Sequence, residues 1–89
     1  MTDETALLLL ARSKTHGPFS MNAMISQKLK RLMHEQPCWT ELHDVHREAL
    51  HVMALKLSRI LSGQADFCDH WDDIAGYARL ASEACGRRD

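Results

Sequence analysis

Apolar residues recur along this chain at helical rather than strand spacing, and polar or breaker residues divide them into four runs. The first, Ala6 to Ala11, follows a capping hydroxyl at Thr2 and the acids Asp3 and Glu4, which suit a helix start. It is expected to stop near Ser13, ahead of the Gly17-Pro18 breakers. The second run opens at a Ser20 cap. Met21, Met24, Ile25, Leu29, Leu32 and Met33 then form one stripe, with Gln27, Lys28, Lys30 and Arg31 opposite, which predicts a core face. Pro37 closes this helix, Gln36 to Trp39 connect, and Thr40 or Asp44 caps the longest run, about Val45 to Leu61. Its apolar face is too wide for a surface helix, so a central position touching two neighbours is predicted. Gly63 is the stop, and Asp66 caps a last helix that ends before Gly86, leaving 87–89 to fray. Four helices with short connectors predict an all-α, compact antiparallel four-helix bundle in one domain, residues 1–89.

Composition narrows the function. Eighty-nine residues bury only about 60–65% of their unfolded surface, so a partner chain would add stability. The net charge of −1, with both signs interspersed, gives no footprint for nucleic acid. Cys38, Cys68 and Cys85 lack C-x-x-C spacing and fit a reduced, cytoplasmic setting better than a disulfide framework. Leu7 to Leu10 is too short to span a bilayer and follows acids, so neither a signal peptide nor a membrane helix is expected.

The chemistry concentrates in Asp69-His70-Trp71-Asp72-Asp73-Ile74-Ala75-Gly76-Tyr77. Residues three and four apart share a helix face, so Asp69 lies beside both Asp72 and Asp73. A hard cation such as Mg²⁺ would settle these acids; a helix-dipole role for Asp69 and a solvated face for the other two are the structural alternatives. On the central helix Glu48 and His51 also share a face. If the two helices are antiparallel neighbours, Glu48 and His51 meet Asp69 and Asp72, as inward acids do in bundle metal sites. Gly76 would serve as a packing notch. Lys56 and Arg59 can neutralise phosphate or simply snorkel to solvent. Cys38, His43 and His46, with His34 nearby, lack a recognised zinc spacing.

The blocks Arg47 to Gly63 and Asp69 to Ala78, with His16-Gly17-Pro18-Phe19 through Lys30, resemble a phage and prophage family grouped with the MazG-like all-α nucleoside triphosphate pyrophosphohydrolases. The likeness spans nearly the whole chain after the first helix. It implies a helical bundle, commonly dimeric or higher, which holds a metal through two pairs of acids and cleaves between the α and β phosphates. Carried onto this chain, Glu48, His51, Asp69 and Asp72 would hold Mg²⁺ or Mn²⁺. Glu48 and Asp72 would take part in catalysis, and Lys56 and Arg59 would contact the triphosphate.

Two positions depart from that pattern. His51 stands where the family has an acid, and imidazole suits softer ions than Mg²⁺. Pro18 also stands where an acid is usual. His51 is therefore open to another role, an ion pair or hydrogen bond to Asp69 or Asp72. Two functions follow as expectations: a metal-dependent nucleotide pyrophosphohydrolase, weak or inactive, in the host cytoplasm if phage-encoded; or a catalytically lost scaffold that binds and inhibits a host enzyme or defence complex, anti-CRISPR-like for example.

Overall fold

The computed structural model describes residues 3–86; the Thr2 cap and the 87–89 tail lie outside them. The described chain is an all-α bundle of four helices: α1 (Asp3–His16), α2 (Phe19–His34), α3 (Asp44–Arg59) and α4 (Cys68–Glu83). A 3₁₀ turn at Pro37–Glu41 joins α2 to α3, and a π-helical turn at Ile60–Gln64 follows α3.

Helix boundaries differ from expectation where side chains satisfy the backbone. α1 continues past Ser13 because Ser13 and Thr15 turn their hydroxyls back onto the Leu10 and Arg12 carbonyls, at 2.7 and 3.2 Å. The break is Gly17, at φ +76°, whose N–H donates to the Ser13 carbonyl at 3.0 Å. Pro18 is extended and leads directly into Phe19, so Ser20 lies inside α2 rather than capping it. Likewise Phe67, not Asp66, precedes α4, and no side chain caps that helix. Gly63, at φ +102°, ends the α3 path as expected.

α3 is central, packing on α2 along one side and α4 along another. Both pairings are antiparallel. Lys56–Asp73 and His46–Ala81 mark the two ends of the α3–α4 contact. Gly17 against Ser62 and His34 against His51 bracket the α2–α3 contact. Small side chains, Ala49, Ala54 and Ser58 on α3 and Ser26 on α2, are buried there. A Cβ at Gly76 would meet nothing within 4 Å, so this glycine is no packing notch.

The apolar core is small. Trp39, Ala49 and Ala54 are its buried hydrophobic residues among those described. Met21, Met24 and Leu32, expected in the core, are 43, 49 and 57% exposed. The reason lies in α1, which has no buried residue and leaves part of α2 uncovered. The molecule measures 53 × 28 × 23 Å, about twice the length of any 16-residue helix along its long axis. Among the described residues no helix is long and apolar enough to cross a membrane.

Candidate functional site

On α4 the pair turned toward the rest of the chain is His70 and Asp73. His70 is 1% exposed. Its Nε2 lies 2.6 Å from the Thr15 carbonyl, which fixes that nitrogen as the donor and fastens α4 to the end of α1. The His16 ring stands edge-on to His70 at 5.3 Å. Asp73 reaches Lys56 on α3, with Oδ2 2.7 Å from Nζ. That hydrogen bond and the charge behind it hold the Asp73 carboxyl below its ordinary range, with smaller help from His70 and Arg59. Lys56 is thus already engaged by a carboxylate. Asp69 and Asp72 lie on the exposed side of the helix.

One turn beyond Lys56, Arg59 enters a different environment. Burial, then the nearby Arg12 guanidinium, lowers its pKa, while Asp73 opposes the shift. Arg59 and Arg12, with Lys30 from α2, line a cleft of about 510 Å³ between α1, α2 and α3. His16, Asn22, Ser26 and Gln27 line it as well, and no lining residue is acidic. Asn22 is 5% exposed; its Nδ2 donates to the His16 carbonyl, while its Oδ1 is buried without a hydrogen-bond partner. Arg12 and Arg59 repel one another across this cleft, Lys30 adds a third cation to its lining, and a bound anion would relieve the repulsion. Guanidinium and ammonium groups placed this way suit the oxygens of a di- or triphosphate.

His51 faces α2 rather than α4. Its Nε2 is 2.7 Å from Nε2 of His34, and the Trp39 ring lies 4.6 Å from His34 and 5.2 Å from His51. Such a bond needs a bare lone pair on one ring, so it fails when both rings carry protons there. Burial, then His34 and Lys30, pushes the His51 pKa below its ordinary 6.5, against the pull of Glu48. His16 is lowered too, by burial and then by Arg59 and His70. A folded-state pKa below the unfolded value means that the unfolded chain binds more protons in that interval. The stability these rings contribute is therefore present above 6.5 and is lost as pH falls through the lower folded values. The urea midpoint should drop as pH falls from neutral through this range, and His51→Gln should flatten the drop. A midpoint flat until the carboxylates titrate would contradict this account.

Glu48 is exposed on α3. It stands eight residues before Lys56, about 12 Å along the helix axis, whereas Asp73 pairs with Lys56 itself. The structure therefore brings Glu48 near His51 but not to Asp69 or Asp72. These four side chains do not fit a shared ion, and among the described residues no group of three or more His, Cys, Asp or Glu is placed to hold one. In the Cys38, His43, His46 and His34 set, His43 and His46 keep their rings edge-on at 5.4 Å, but the other two lie elsewhere. His34 pairs with His51, His46 reaches the Ala81 carbonyl at 3.1 Å, and Cys38 is exposed.

Sequence reasoning did not single out Arg12 or Asn22, and it placed Lys30 only on the polar face of the second helix, since their roles depend on how α1 and α2 sit over α3; Trp39 was open between a subunit interface and the core, and it is buried. Asp73 and His70 were within reach, being three apart and in phase with Ile74 and Tyr77. No family model, curated protein or solved structure matches the chain.

Proposed function

We propose that this chain binds the phosphate end of a nucleoside triphosphate in the α1–α2–α3 cleft. In this reading it is a MazG-like pyrophosphohydrolase-type bundle with weak or lost hydrolysis. The observation that carries it is the convergence of Arg12, Lys30 and Arg59 on one cavity with no acidic lining residue. Arg59 keeps the phosphate role given to it by the sequence, and Arg12 and Lys30 join it. Lys56 serves instead to neutralise Asp73. No metal-dependent step is assigned, because Glu48, His51, Asp69 and Asp72 do not converge.

The test measures binding and turnover separately. Titration with ATP, the deoxynucleoside triphosphates and pyrophosphate should show salt-sensitive binding. Arg59→Ala and Arg12→Ala should each weaken it roughly 10- to 100-fold, the worth of one charge-assisted hydrogen bond. Pyrophosphate release, assayed with Mg²⁺ and with Mn²⁺, should be slow or absent. If the folded protein binds neither nucleotide nor pyrophosphate at low salt, the proposal fails. The reading of the chain as a protein-binding scaffold is favoured by a different observation, the extent of its exposed apolar surface.

A further inference from the structure

We infer, resting on the nucleotide reading of the α1–α2–α3 cleft, that the base of the bound nucleotide is guanine and that Glu35 recognises it. A second cavity of about 350 Å³, within the size range of small-ligand sites, opens beside the cleft between α2 and α3. Gln27 and Lys30 line both cavities, so the two form one trough along α2. Its lining residues on this side run from Phe19 to Glu35, about 24 Å along the helix axis. That leaves room for a nucleoside and its phosphates end to end.

The two ends of the trough differ in charge. Arg12, Arg59 and Lys30 line the cleft without an acid, whereas the second cavity contains the Glu35 carboxylate. That carboxylate repels phosphates, which settle among the cations and leave the nucleoside to the Glu35 end. Arg31 stands one turn before Glu35, yet among the described residues the exposed Glu35 side chain makes no ion pair. Its oxygens are open to a ligand. The rings of His34 and His51 line the same cavity, and Trp39 stacks on His34 at 4.6 Å. A base laid against these rings gains the stacking that aromatic side chains give to nucleic-acid bases.

The carboxylate decides which base. Ionised, it can only accept hydrogen bonds. Guanine presents two adjacent donors on one edge, N1–H and the N2 amino group, which the two carboxylate oxygens can take in parallel. Adenine and cytosine each set a bare ring nitrogen beside the amino group, and its lone pair repels the carboxylate. Uracil and thymine offer a single N–H between two carbonyl oxygens, which repel it as well.

Calorimetric titration of the full chain at low salt with GTP, ATP and pyrophosphate tests the assignment. GTP should bind about tenfold more tightly than ATP, the worth of one hydrogen bond. Glu35→Gln should abolish that difference and leave pyrophosphate binding intact, whereas Arg59→Ala should weaken all three ligands. Pyrophosphate binding without a preference for GTP over ATP would overturn the inference and spare the cleft. So would a preference that survives Glu35→Gln, or one lost instead in Phe19→Ala, which would put the base at the other end of the trough. If neither nucleotide nor pyrophosphate binds, the cleft reading falls and the guanine assignment with it.

Discussion

Trp39→Ala is expected to remove about 3–5 kcal/mol of folding free energy, the cost of a large cavity in a packed interior. Trp39 is the one large apolar side chain that the described chain buries, at 8% exposure. It also backs the two imidazoles that join α2 to α3. A small domain has only about 5–15 kcal/mol in total, so the variant should be close to unfolded at ambient temperature. Trp39→Phe keeps an aromatic face against His34 and should lose much less. Urea denaturation followed by circular dichroism separates the two. A loss below about 1 kcal/mol for the alanine variant would mean that the tryptophan only covers the surface.

Gly17→Val should cost about 2–4 kcal/mol through two additive causes. The residue lies at φ +76°, which β-branched side chains strongly disfavour, and a Cβ would stand 3.1 Å from the Ser62 Cβ. Gly63 provides the control. It too has a positive φ, but a Cβ there would meet nothing within 4 Å. Gly63→Ala should therefore cost only the conformational part, about 1–2 kcal/mol. Equal losses in thermal melts of the alanine variants at both positions would show that the approach of Gly17 to Ser62 is unimportant.

The helices were legible because their punctuation is local. Pro18, Pro37 and Gly63 act through their own backbones, and α3 declared its central place by the width of its apolar face. The phase of α4 was harder to read. In a run with acids at Asp69, Asp72 and Asp73, either the pair at 69 and 72 or the pair at 70 and 73 can face inward. Folding favours the second pair, because an imidazole can be buried once it donates to a carbonyl, and Asp73 finds a cation. Asp69 would have to be desolvated as an ion. Arg12 and Lys30 were hidden for another reason. Their significance comes from the cleft they share, and no spacing within one helix reveals a cavity made by three. The Leu7 to Leu10 run was legible as apolar, but no residue of α1 is buried in the described chain.

The hydrogen bond from His70 to Thr15 spans 55 residues, and that span has a consequence for biosynthesis. The ribosome releases the end of α1 early, yet the imidazole that fastens Thr15 is added only after most of the polypeptide. At ordinary translation speeds the delay is roughly 3–11 s. Through that interval the segment is a target for chaperones, or for other nascent copies emerging nearby. Codon pace across the second and third helices should therefore govern how much soluble product a cell accumulates, even where the mature fold is unchanged.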